Sequence, residues 1–276
     1  MDTESSRKRN QKPNAYSQII ERVFLTRFRE GDLEVEFSRD DIAQAAQELG
    51  VPLPKNLGDV VYSFRYRNRL PEFIRQHAPE GVSWIIRPNG IARYKFVTSA
   101  YTHITPSNLM SVTTIPDATP GVIAMYSLSD EQALLAKLRY NRLVDVFTGL
   151  TCYSLQSHLR TTVHGMGQVE TDELYVGLDR RGAQYVLPVQ AKGGSDILSV
   201  VQIEQDLAMC SAKFPALVCR AIAAQFMAEN VIALFEFEAT GEQSAGLVRE
   251  CHYQLVAPDL ISNEDLSMYR SRLESP

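Results

Sequence analysis

Residues 169–194 read VETDELYVGLDRRGAQYVLPVQAKGG. Aromatic and β-branched residues on either side of Asp179-Arg-Arg-Gly-Ala183 predict two strands joined by a tight turn. Centring the turn near Arg181 sets Asp172 opposite Gln190 or its neighbour. Strand alternation puts Glu170 and Asp172 on one face, and Gln190 and Lys192 likewise. Two carboxylates, an amide and an ammonium are therefore expected on one patch of a largely apolar ribbon. A buried carboxylate needs compensation. Lys192 supplies one positive charge, and hard oxygen donors of this type suit Mg²⁺, with Mn²⁺ as a substitute. Glu173 falls on the opposite face. Pro188 counts against a central strand because it donates no ladder hydrogen bond, and an exposed hairpin with outward charges is the competing reading.

The flanking sequence extends the pattern. Residues 129–148 predict one helix, capped by Ser129, with Leu134, Leu135, Leu138, Leu143 and Val146 as its apolar positions and Gly149 as its stop. SLQSHLRTTV reads as a strand on which His158 and Arg160 share a face, either as an ordinary surface pair or as phosphate contacts. SVVQIEQDLAMCSAKF is an amphipathic helix carrying Gln202 and Gln205. PALVCRAIAAQF fits strand or helix, and VIALFEFEA is a buried strand. The order is helix, three strands, helix and at least one further strand.

Glu170-Thr-Asp172, with Gln190-Ala-Lys192 starting eighteen positions after Asp172, resembles the motif of the PD-(D/E)XK nuclease superfamily of restriction-type endonucleases. The resemblance covers about residues 129–238 and implies an αβββαβ core with a mixed sheet, within an α/β (α+β) chain. It implies that Asp172 binds the metal, that Gln190 is a ligand through its amide oxygen, and that Lys192 orients the attacking water and stabilises phosphate charge. Glu131 in the leading helix would complete the metal shell, and Glu170 would hold Lys192 or a water. Gln190 departs from the family's usual Glu or Asp. It brings less negative charge, which implies compensation by Glu170, weaker metal binding or a silent core.

Upstream, YSQIIERVFLTRFR places Ile19, Ile20, Val23, Phe24 and Phe28 on one helical face. EVEF is a short strand. Ser38 with Asp41 three residues later starts a second helix that Gly50 ends. LGDVVYSFRYRNRLPEFIRQ follows as a third helical segment broken near Pro71, and VSWIIRPNGIARYKFV is a hairpin around Pro88-Asn89-Gly90. Three helices closed by a hairpin is the order of a winged helix-turn-helix. Residues 55–95 hold eight basic and three acidic side chains. Arg65 and Arg69, one turn apart with Arg67 between them, form a face suited to a DNA major groove, while Arg93 and Lys95 on the hairpin reach phosphate. A solvated helix face is the alternative.

The domains expected are a tail at 1–14, a winged helix at 15–98, a Thr/Ser/Pro-rich linker at 99–128 with a short strand near 122–126, and the nuclease-like unit at 129–276. The chain has 276 residues, 45% hydrophobic and 22% charged, with net charge −5. Residues 1–97 carry 16 basic and 13 acidic side chains and the rest 12 and 20, an asymmetry that favours two modules. No apolar run approaches the roughly 18 residues of a membrane span, and the polar N-terminus is no secretion signal. Scattered cysteines without CxxC spacing imply free thiols in the cytoplasm. The expected function is Mg²⁺-dependent cleavage of double-stranded DNA by a homodimer. A cognate methyltransferase is not inferable. The alternatives are a winged-helix regulator with a silent nuclease-like core, and a structure-specific repair or RNA nuclease. A further alternative makes the basic helix a protein-docking face.

Overall fold

The computed structural model describes residues 14–53, 55–100, 103–126, 131–193, 196–241 and 244–272. The expected tail up to residue 13 and the Ser129 cap lie outside the described residues. The chain is mixed α+β and divides into two compact units, Met1–Ala100 and Tyr101–Pro276.

In the first unit, α1 (Ala15–Arg27) is followed by β1 (Glu34–Ser38), α2 (Arg39–Leu49), α3 (Gly58–Tyr66), α4 (Glu72–Gln76), β2 (Ser83–Pro88) and β3 (Arg93–Ser99). The strands form an antiparallel sheet in the order β1-β3-β2. α2 starts where its sequence dictates: the Ser38 hydroxyl accepts the Asp41 N–H and the Asp41 carboxylate accepts the Ser38 N–H. It stops at Gly50, which takes the left-handed conformation at φ 63°. The core is aromatic. Phe24 stacks on Phe28 at 4.7 Å between ring centroids and meets Trp84 and Phe96 edge-on.

The third helical segment breaks earlier than expected, at Tyr66 instead of Pro71. Asn68 bonds back to Ser63 through both its backbone N–H and its side chain, which closes the helix end. Arg69 therefore lies off the helix, and Arg65 and Arg69 do not share a helical face.

The second unit is built on one large mixed sheet. Its elements are β4 (His103–Ile104), β5 (Val112–Pro116), α5 (Gly121–Tyr126), α6 (Glu131–Tyr140), α7 (Leu143–Thr148), β6 (Thr151–Val163), β7 (Gly167–Leu178), β8 (Gln184–Lys192), β9 (Leu198–Ser199), α8 (Val200–Lys213), β10 (Val218–Cys219), β11 (Ala221–Phe226), β12 (Val231–Gly241), β13 (Ser244–Val256) and α9 (Asn263–Arg272). The sheet order is β5-β13-β12-β11-β8-β7-β6, with β10 pairing beside β8, and β4 pairs separately with β9. β6, β7 and β8 are an antiparallel meander, and the chain then crosses over through α8 so that β11 runs parallel to β8. Leu134, Leu138 and Phe147 of α6 and α7 pack with Tyr175, Leu187, Val189 and Ile222 on one face. Met209 and Cys210 of α8 pack with Val169, Leu174 and Val186 on the other.

Three expectations change here. The stretch 99–128, read as a linker from its Thr, Ser and Pro content, contributes β5 to the sheet edge beside β13. Residues 121–126 are helical, not a strand. The helix expected over 129–148 is two helices, parted where Arg142 adopts a left-handed backbone, with Gly149 ending the second. PALVCRAIAAQF resolves into β10 and β11. Pro188 sits inside the β7–β8 ladder opposite Leu174. Its missing donor is harmless, because the strand on β8's other side is interrupted at Arg220, between β10 and β11. The four cysteines are free thiols. Among the described residues no helix is long and apolar enough to cross a membrane.

Candidate functional site

The β7–β8 ladder runs from Leu178 opposite Gln184 to Glu173 opposite Val189, and the strands then part. Asp172 stands at the parting. Its Oδ2 accepts the Ala191 N–H at 2.8 Å, so a side chain replaces the next rung. Burial raises the Asp172 pKa. Lys192 and the Ala191 N–H oppose the shift, Glu131 adds to it, and His158 opposes it. Lys192 Nζ lies 2.5 Å from Glu131 Oε1 on α6 and is 12% exposed. The structure thus brings together Asp172, Lys192 and Glu131 around one mouth in the sheet.

Gln190 turns elsewhere. It is 1% exposed, and its Nε2 donates to Asp206 Oδ2 on α8 at 2.9 Å and to the Glu170 carbonyl at 3.0 Å. Its Oε1 accepts from Gln202 Nε2 at 3.2 Å. Asp206, fully buried, also accepts the Thr171 hydroxyl at 2.5 Å. Burial pushes its pKa up to about 7 against these two hydrogen bonds, with Asp172 adding to the rise. The Glu170 carboxylate pairs with Arg160 at 2.9 Å on the surface.

The four polar groups of the ribbon therefore do not form one patch, and the reason lies in the backbone. Thr171 and Glu173 should share a face, yet Thr171 bonds Asp206 on α8 while Glu173 bonds Arg139 on α6. Alternation is broken across Asp172. On the neighbouring strand the β6–β7 ladder passes from Ser157–Glu173 to Leu159–Thr171 and skips His158, which has φ 50° and stands opposite Asp172. Its Nε2 is 3.0 Å from Gln132 Nε2 on α6. Glu173, set aside in the sequence, is fully buried and also accepts from Ser154 and Ser157.

Two residues beyond the motif thus belong to the surroundings of the site. Asp206 had a signal, since it lies one helical turn after Gln202. His158 carries a signal only as one half of a same-face pair with Arg160, and its left-handed backbone inside a strand has no sequence signature.

In the first unit, Arg65 on α3 lies 4.8 Å from the Tyr66 ring centroid. Its Nε and Nη2 are buried and make no hydrogen bond to the described residues. Arg67 lies 5.0 Å from the Tyr62 ring centroid, and Tyr62 meets Tyr66 edge-on. Arg67, Arg69 and Arg93 are exposed, whereas Lys95 pairs with Glu34 at 3.0 Å.

Among the described residues no group of three or more His, Cys, Asp or Glu side chains is placed to hold a metal. The donor chemistry at the mouth nonetheless fits Mg²⁺, which keeps several waters and needs only one or two carboxylates. Asp172 and Glu131 provide these, whereas the Gln190 amide is held towards α8 by Asp206 and Gln202. No protein-family model, curated protein or solved structure matches this chain.

Proposed function

We propose that the chain is a Mg²⁺-dependent endonuclease of the PD-(D/E)XK type acting on double-stranded DNA, with a winged helix as its DNA-binding unit. The observation that carries this reading is the convergence of Asp172, Lys192 and Glu131 where β7 and β8 part. It is supported by the path through α6 and α7, the β6–β7–β8 meander, α8, and β11 parallel to β8. The first unit, with its β1-β3-β2 sheet and exposed Arg67, Arg69 and Arg93, supports the DNA-binding assignment.

In this reading water adds to phosphorus, the bond to the leaving sugar oxygen breaks, and that oxygen takes up a proton. Asp172 and Glu131 would hold the metal, while the Gln190 amide, turned to α8, would not. When bound, Mg²⁺ supplies neutralisation of phosphate charge and a more acidic attacking water. Lys192 offers a compact charge to the phosphate oxygens, and its bond to Glu131 fixes where that charge sits. The Ala191 N–H orients the Asp172 carboxylate, and Asp206 fixes the direction of the Gln190 amide. A homodimer would carry two such sites to the two strands of a duplex.

Lys192→Ala is expected to retain the wild-type circular dichroism spectrum and lose about 100-fold or more in cleavage of plasmid DNA with Mg²⁺. Wild-type cleavage by this variant would end the nuclease reading. A DNA-binding regulator with a silent core is the second reading. It is favoured by one observation: Gln190 is fully engaged by Asp206, the Glu170 carbonyl and Gln202. Plasmid retardation without new ends, in Mg²⁺ and in Mn²⁺ alike, would support it.

A further inference from the structure

Among the described residues, His158 is the one non-glycine residue with positive φ that lies inside a strand. Ala92 is in a hairpin turn, Arg142 precedes α7, and Asn230 ends a short 3-10 helix. A histidine in this backbone region is strained, and such strain persists where the surroundings enforce it, often at functional sites. Here it removes His158 from the β6–β7 ladder at the position facing Asp172. The ring is then anchored from α6 by Gln132, the neighbour of Glu131. An amide nitrogen can only donate, so His158 Nε2 accepts and Nδ1 carries the proton. The side chain is exposed. A pre-oriented N–H donor therefore stands at the rim of the mouth that holds Asp172, Lys192 and Glu131.

We propose that His158 is a catalytic residue that touches the scissile phosphate, its Nδ1–H donating to a non-bridging oxygen beside Lys192. This rests on the nuclease reading of the same site. The hydrogen bond strengthens as charge builds on that oxygen during attack, so it acts on turnover more than on binding. Gln132 is a positioning residue that sets the tautomer and the ring orientation.

The test compares wild type, His158→Gly and His158→Asn in Mg²⁺-dependent plasmid cleavage and in thermal unfolding. Glycine relieves the backbone strain and removes the donor, so the variant is expected to unfold no earlier than wild type. Its kcat should fall about 100-fold with KM nearly unchanged. Asparagine tolerates the left-handed backbone and keeps an N–H, so it is expected to recover about 10-fold of that loss. Wild-type kcat in the glycine variant would overturn the proposal, as would a loss confined to KM.

A wild type that cleaves nothing would defeat the nuclease reading by itself. The ¹⁵N resonances of the His158 imidazole, followed while a short duplex is added with Mg²⁺, would then still decide. Movement of the Nδ1 signal supports phosphate contact, and an unmoved signal overturns it.

Discussion

Asp206 makes the buried network under the site a source of pH dependence. Its carboxyl has an ordinary value of 3.8 and is pushed up to about 7 by burial. Between about pH 4 and 7 the folded chain keeps a proton that the unfolded chain has lost. Stability therefore falls as pH rises through that window, by up to about 4 kcal/mol from this residue alone. Asp172, also raised by burial, adds a slope of the same sign. Asp206→Asn is expected to be comparable to wild type near pH 4 and to gain on it progressively up to pH 8, as read from urea midpoints. Parallel pH profiles for the two proteins would show that Asp206 is not the source. Spacing alone sets Asp172 and Lys192 at the same end of the ribbon, and the structure brings them near each other there. The direction of Gln190 was not legible in the sequence, because it depends on partners 12 and 16 residues away on a different element.

At the scale of elements, local chemistry and long-range pairing divide the control. The start of α2 is local: two reciprocal hydrogen bonds between Ser38 and Asp41 satisfy backbone donors of its first turn. Ser38→Ala is expected to cost about 1–2 kcal/mol in urea unfolding, and Ser38→Asp, which still caps, much less. Equal losses in both variants would mean that packing, not the cap, holds this turn. The strand β5 is the opposite case. Its sequence VTTIP sits among turn-forming residues, and it becomes a strand because β13, more than a hundred residues later, offers a parallel edge. Pro188 follows the same logic, since its tolerance depends on a gap in a neighbouring strand that its own flanks do not announce.

At the scale of the whole chain, a net charge of −5 coexists with a basic stretch at residues 55–95. Binding to duplex DNA through Arg67, Arg69 and Arg93, as proposed, would release counterions. Affinity is therefore expected to fall roughly 40-fold between about 50 and 200 mM salt, in fluorescence anisotropy with a labelled duplex. A flat salt response would remove the first unit from DNA recognition and favour a protein partner for the basic helix. Sedimentation at micromolar concentration tests the dimer, with a single 31.0 kDa species as the contrary outcome.

The sequence by itself determined the α2 cap, the β7–β8 register and the run of three strands followed by a helix. These follow from hydrogen bonds and periodicities that act over a few residues. Only the tertiary structure decided that alternation fails at Asp172, that Gln190 faces α8 instead of the mouth, that Arg69 leaves the helix, and that His158 is held opposite the acid. Each of these is a compromise between a strand or helix and a partner distant in sequence, where packing and buried hydrogen bonds outweigh local preference.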